Sequence, residues 1–327
     1  MIKDNFGRIH DYLRISVIDK CNFSCVYCLP VKKHHFLPHQ KLMKREEIFD
    51  IAKIFVELGV KKIRLTGGEP LLRADIKEII EDLHTLNIEL AITTNGYFLD
   101  NYLDTLIKNN VRSINVSLDT LNEQKFEAIT GKNAFKKVYE NILLLLKNNI
   151  HPKVNAVLIN PINNSEIIKF IEWTKDLNIH LRFIEFMPFD SNNWDFNKII
   201  TLDDVLNILK SEGYSFTKLN DSKNSTSRAY KVNGYKGTFA IISTISNPFC
   251  STCNRMRLTA DGKLRNCLFA QSETDLLSAY RRGEDIRPMI LENIKGKFFQ
   301  RGGLPDFKDS SMLLSKLSSR KMIEIGG

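Results

Sequence analysis

Asp19-Lys20-Cys21-Asn22-Phe23-Ser24-Cys25-Val26-Tyr27-Cys28 sets three thiols in one short loop, just past the β-prone run Leu13 to Val17. A second triad, Cys250, Cys253 and Cys267, accounts for the remaining cysteines of the chain. A structural zinc site takes four protein ligands, whereas a cubane iron–sulfur cluster held by three thiolates keeps one iron corner open. An open iron can bind and cleave a ligand, and two such sites suggest an enzyme that handles two ligands at once. Zinc remains the alternative, for the first loop with a distant fourth ligand from His34, His35 or His39. Those histidines lie on a polar loop without ligand spacing and read as surface groups.

Outward from this loop, short β-prone runs alternate with longer helical patterns. The strands are expected at Leu13 to Val17, Lys62 to Thr66, Leu90 to Thr93, Ser113 to Ser117, Val154 to Ile159 and Leu181 to Phe186. Helices are expected over Arg45 to Leu58, Ile76 to Leu86, Tyr102 to Lys108, Phe135 to Lys147 and Ser165 to Leu177. In the first, Ile48, Ile51, Ala52, Phe55 and Leu58 recur three and four apart and share one face. Strand, helix, parallel strand repeated about six times is the pattern of an α/β fold, a partial (β/α)6-type barrel with chemistry at the C-terminal ends of its strands. After Phe186 the alternation stops. A helix near Leu202 to Lys210, short strands (Ala229 to Val232, Thr238 to Ile242) and a hairpin turning at Asp261-Gly262 follow. Residues 1–220 are therefore expected to form the barrel, and residues 221–327 a C-terminal α+β extension carrying the second triad.

The chain has 327 residues, 43% hydrophobic and 26% charged, as in ordinary globular proteins. The longest apolar run, Ile142 to Leu146, is too short to cross a bilayer, and the N-terminal residues hold no apolar signal region. This predicts a cytoplasmic protein without a membrane role, whose reduced thiols bind metal or do catalysis. The net charge of +9 is spread along the chain, with no basic tail and no RNA-binding aromatic signature, so nucleic acid is not the expected partner. A share of that charge suits one anionic substrate.

Four segments in strand order carry a family resemblance. Cys21-Asn-Phe-Ser-Cys-Val-Tyr-Cys28, Thr66-Gly-Gly-Glu-Pro70, Thr93-Thr-Asn-Gly96 and Ser117-Leu-Asp119 resemble the signature segments of radical S-adenosylmethionine (radical SAM) enzymes. The resemblance implies a 4Fe-4S cluster on Cys21, Cys25 and Cys28, with Tyr27, Gly68, Glu69, Ser117 and Met187 along the SAM site. Glycines permit close backbone approach, and Glu69 would accept from the SAM ammonium group. It also implies that one electron cleaves SAM to methionine and a 5′-deoxyadenosyl radical, which takes a hydrogen atom from the substrate.

Within that superfamily the chain resembles the GTP 3′,8-cyclase family of molybdenum cofactor biosynthesis. The likeness runs from Asp11-Tyr-Leu-Arg-Ile-Ser through Arg182-Phe-Ile-Glu-Phe-Met187 to Ile325-Gly-Gly327. It implies a second 4Fe-4S cluster on Cys250, Cys253 and Cys267, whose open iron meets the guanine of GTP. Arg14, Arg255 and Arg257 match the family's active-site arginines, and Lys62, Arg64, Thr93, Lys153 and Arg182 match its GTP contacts. The tail glycines Gly326 and Gly327 would enter the active site. No Walker loop is present, so a triphosphate would be held by lysines and arginine forks. The implied partners are a reductant protein and a cyclic pyranopterin monophosphate synthase that receives the product, and a homodimer is compatible with the sequence. The rivals are a radical SAM peptide-modifying enzyme with an auxiliary cluster, and a non-catalytic iron–sulfur or zinc protein that binds nucleic acid.

Overall fold

The computed structural model describes residues 1–29, 36–190, 192–305 and 320–326. His34 and His35 lie outside the described residues. Six strands run parallel, each paired with the next: β1 (Tyr12–Ser16), β2 (Lys62–Thr66), β3 (Glu89–Thr94), β4 (Ser113–Ser117), β5 (Lys153–Leu158) and β6 (His180–Glu185). Between them lie α1 (Arg45–Glu57), α2 (Ile76–His84), α3 (Leu99–Lys108), α4 (Glu123–Thr130), α5 (Phe135–Lys147) and α6 (Ile167–Trp173). Ile48, Ile51, Ala52 and Phe55 of α1 are completely buried and share a core with Leu13 and Ile15 of β1 and Ile63 and Leu65 of β2. Burying each large side chain of that set contributes about 1.5–3 kcal/mol.

Helix α4 has no counterpart in the sequence-based assignment, because Phe126 and Ile129 alone make a weak apolar stripe. Its ends are better marked than its face. The Asn122 side chain accepts from Lys125 N–H at the start, and Gly131 closes it at φ 71°.

The strands alternate in an unusual sense. In β5, Val154, Ala156 and Leu158 are buried, while Lys153, Asn155 and Val157 are half-exposed. In β6, Leu181 and Phe183 are buried, while His180 and Arg182 are half-exposed. The apolar set lies under the helices, and the polar set lines a cavity on the concave side. The interior of this partial barrel is therefore hollow, with charged and amide side chains set among apolar ones.

The C-terminal residues extend the same sheet at both ends. β9 (Thr238–Ile242) pairs parallel with β6 and carries the antiparallel strands β8 (Arg228–Val232) and β7 (Phe216–Lys218). β10 (Arg255–Leu258) pairs parallel with β1 and carries β11 (Lys263–Arg265) and β12 (Thr274–Asp275), antiparallel. Among the described residues twelve strands result, in the order β12-β11-β10-β1-β2-β3-β4-β5-β6-β9-β8-β7. The expected turn at Asp261-Gly262 is present, with Gly262 at φ +68°.

Candidate active site

Cys21, Cys25 and Cys28 follow β1 and open onto a cavity of ≈ 510 Å³. The loop is held by the segment after β2. Gly68 N–H donates to Ile18 O (2.8 Å) and Glu69 N–H to Lys20 O (2.9 Å). A Cβ on Gly68 would lie 2.3 Å from Lys20 O, and one on Gly67 2.4 Å from Ile18 O. The two glycines thus let the second strand's turn press against the backbone that presents the thiols. Glu69 is fully buried and its oxygens accept from Leu71 N–H, Thr94 Oγ1 and Asn95 N–H. The resemblance implies a SAM ammonium as a further partner for this carboxylate, whose partners within the chain are these three donors. Burial raises its pKa to about 7 against those three bonds. Through Asn95, Glu69 positions the loop, because Asn95 Nδ2 reaches Cys21 Sγ (3.7 Å) and Asn22 Oδ1 (2.8 Å).

Phe23 N–H also points at Cys21 Sγ (3.4 Å), so two N–H groups face one sulfur. Such donors steady a thiolate that carries iron, and three cysteines with no disulfide fit a 4Fe-4S cluster. Burial pushes the free thiols of Cys21 and Cys28 up, to about 11 and about 12. Beside them, Tyr27 donates to Asp119 Oδ2 (2.7 Å), and Asp119 Oδ1 accepts from Val157 N–H (2.8 Å). Gly68, Ser117 and Met187 share this end of the cavity with Tyr27.

The cations sit elsewhere on the strands than at their C-terminal ends. Lys62 and Lys153 are the first residues of β2 and β5, and Arg14, Arg64 and Arg182 are each the third residue of their strands. All face inward because inward positions recur every second residue. The expectation that all the chemistry sits at C-terminal strand ends holds for the SAM-type segments only. Register sets Arg257 beside Arg14, and Arg14 beside Arg64. Burial, followed by neighbouring positive charge, lowers Lys153 to about 8 and Arg257 to about 10. Arg182 falls to about 9 for the same reasons. The Nε atoms of Arg182 and Arg257 are buried without a hydrogen-bond partner among the described residues. Buried cations left in this state call for an anion.

The second triad lines the same cavity as the first, and Arg255 and Arg257 on β10 follow shortly after Cys253. Lys297 is buried behind it and donates to Cys253 Sγ (3.6 Å) and Arg255 O (3.0 Å). Burial pushes the Cys253 thiol up, yet Lys297 and Arg255 bring it down to about 7. No three His, Cys, Asp or Glu side chains among the described residues are grouped to hold a single metal ion. The terminal turn Met322–Ile325 is buried at Ile323 and Ile325, and Gly326 sits at φ +76° against β1 and β2. A Cβ on Gly326 would lie 2.5 Å from Thr66 Oγ1 and 3.0 Å from Ser16 Cβ. Gly327 lies outside the described residues.

Every other site residue expected from sequence lines this one cavity, Glu69 and Gly326 excepted. Sequence reasoning missed Tyr12, Asn115, Asn155, His180 and Lys297. Period-two alternation from Arg14, Ser117, Lys153 and Arg182 would have found the first four, whereas Lys297 has no local signal. Asn115 and Asn155 each present a buried Oδ1 without a donor among the described residues, suited to a ligand N–H or O–H.

This fold with its SAM-type segments defines a class. Residues 15–174 match the Radical SAM superfamily, and residues 179–301 match Molybdenum Cofactor Synthesis C. A solved relative in fold is Streptococcus suis SuiB bound to S-adenosylmethionine, with a TM-score of 0.61 and 16% identity, covering 90% of this chain and 69% of that one. That likeness is one of architecture. The sequence is 42% identical over 302 residues to molybdenum cofactor biosynthesis protein 1 of Drosophila melanogaster, covering 92% of this chain and 53% of that protein. The chain spans about half the length of relatives of that name. It is 39% identical to the mitochondrial GTP 3′,8-cyclase of Arabidopsis thaliana, covering 100% of this chain and 84% of that protein. With the GTP 3′,8-cyclase of Listeria welshimeri it shares 37% identity over 100% of this chain and 99% of that one. The chain belongs to the GTP 3′,8-cyclase family of radical SAM enzymes. Membership brings SAM and a 4Fe-4S cluster. Among the described residues no helix is long and apolar enough to cross a membrane.

Proposed function

We propose that this chain converts GTP to 3′,8-cyclo-7,8-dihydro-GTP, with SAM and a 4Fe-4S cluster at Cys21, Cys25 and Cys28, and a second 4Fe-4S cluster at Cys250, Cys253 and Cys267. The observation that carries the reading is a single cavity holding both cysteine triads and a set of inward cations, of which Arg182 and Arg257 have buried Nε atoms without a partner among the described residues. When bound, the first cluster and SAM supply a one-electron cleavage and a hydrogen-abstracting 5′-deoxyadenosyl radical.

The chain's own residues bind and orient. Lys153, Arg182 and Lys62 face a common volume and suit the triphosphate, whose charge offsets their mutual repulsion. Asn115 and Asn155 present acceptors toward the ribose or the base. Arg14 and Arg257, paired across β1 and β10, line the cavity that holds both triads and would steady the ribose and base during ring closure. Met322 and Ile323 of the terminal turn line the same cavity, and Gly326 packs on Ser16 and Thr66 beside it. A reductant supplies electrons, and a cyclic pyranopterin monophosphate synthase takes the product.

Anaerobically reconstituted protein given reductant, SAM and each nucleotide in turn tests this. The expected result is 5′-deoxyadenosine with a cyclised product from GTP alone. SAM cleavage without any GTP-derived product would sink the proposal.

A further inference from the structure

Tyr12 on β1 precedes Arg14 by two residues and points into the same cavity. Arg64 Nε donates to its hydroxyl oxygen at 2.6 Å, and Lys62 Nζ stands 5.3 Å from its ring centroid. Arg64 itself is buried and tied down, with Nη1 donating to Ile92 O (2.6 Å) and Nη2 to Ser113 Oγ (3.0 Å). Its planar fork is therefore largely occupied by protein acceptors. What Arg64 presents to the cavity is the tyrosine it holds. Among the described residues the Tyr12 hydroxyl accepts this one bond and donates none, which leaves its proton for a ligand acceptor.

We propose that the Tyr12 hydroxyl is a further specificity-determining contact for the anionic end of the substrate, donating to a phosphate oxygen while Arg64 holds it from behind. The inference rests on GTP being the ligand of this cavity. The charged groups around Tyr12 are Arg14 on its own strand, Lys62 and Arg64 on β2, and Arg255 at its register position on β10. Lys153 and Arg182 face it from β5 and β6, and Glu89 on β3 pairs with Lys62 (2.5 Å). Burial pushes the phenol up, but Arg64, Arg14 and Lys62 bring it down to about 7. A triphosphate disfavours phenolate in the same pocket. Binding above neutral pH therefore takes a proton from solvent onto Tyr12, and GTP affinity falls as pH rises through about 7.

The test uses the full chain with its clusters, kept anaerobic, and calorimetric titration with GTP and with guanosine. Two buffers of different ionisation enthalpy, from pH 6 to pH 8.5, report proton uptake. Wild type should take up more protons per GTP above pH 7 than Tyr12→Phe. The variant should bind GTP about tenfold more weakly at pH 6.5, as for one lost hydrogen bond to a charged group, with guanosine unchanged. Fluorotyrosine at position 12, which keeps the ring and lowers the phenol pKa, should move the pH midpoint downward. If wild type binds GTP and Tyr12→Phe matches it in affinity and proton uptake, the inference fails alone. An equal loss for GTP and guanosine makes Tyr12 a packing residue and also overturns it. Failure of wild type to bind GTP would instead overturn the reading of the cavity.

Discussion

Arg182 and Lys153 are half-buried, crowded by like charge and held well below their ordinary pKa values. Replacing either with alanine should weaken GTP binding by about 1.5–3 kcal/mol while leaving guanosine nearly unaffected, which parallel titrations would read. An equal penalty for guanosine would mean that neither side chain meets phosphate. Gly68 illustrates a different constraint, because a methyl group there meets Lys20 O at 2.3 Å and backbone has to move. Gly68→Ala should lower iron incorporation at the first triad, measured by iron content and absorbance after anaerobic reconstitution. Motif residues of this kind were legible in the sequence because thiols and glycines have few structural substitutes. Glu69 was less so. Its fully buried position, set by donors on Leu71, Thr94 and Asn95, depends on the following turn and strand and not on the motif alone.

At the scale of the element, strand placement was legible where helices alternate with strands, since Phe135–Lys147 and Lys62–Thr66 match their expected ranges. Periodicity did not reveal which C-terminal strand lies beside which barrel strand. The neighbour of β1 is β10, and Asn254 Nδ2 donates to Asp11 Oδ1 (2.6 Å) from 243 residues away. No local pattern encodes such a pairing. The tail is an element of the same kind, a single turn whose Ile323 and Ile325 are buried and whose Gly326 packs on Ser16 and Thr66. Removing Gly326 and Gly327 should leave folding, iron content and GTP affinity nearly intact and stop cyclisation. A peptide ending in Ile-Gly-Gly should restore part of the activity, whereas full activity of the truncated chain would reduce the tail to packing.

For the whole molecule, two triads on one cavity predict a division of labour. Alanine at Cys21, Cys25 or Cys28 should abolish SAM cleavage. Alanine at Cys250, Cys253 or Cys267 should leave some uncoupled cleavage and no cyclised product. Iron in the active protein should approach about eight per chain, as two cubanes require. Four irons with one zinc in a fully active preparation would refute this assignment. The sequence indicated two three-cysteine sites from their count and spacing. That they share one cavity comes from the sheet, in which β10 and β9 flank the six barrel strands.

The pairing of β1 between β2 and β10 also sets an order in time. During synthesis, β1 emerges before β2 and gains it soon after, yet its other edge stays open until Arg255 to Leu258 are made. At roughly 5–20 residues per second, that gap lasts on the order of tens of seconds. Through that interval the nascent chain displays an unpaired strand edge beside three cysteines that have not yet joined the finished site. The last quarter of the chain is thus what closes the first strand, and a ribosome stalled before residue 255 would hold an aggregation-prone and oxidation-sensitive intermediate.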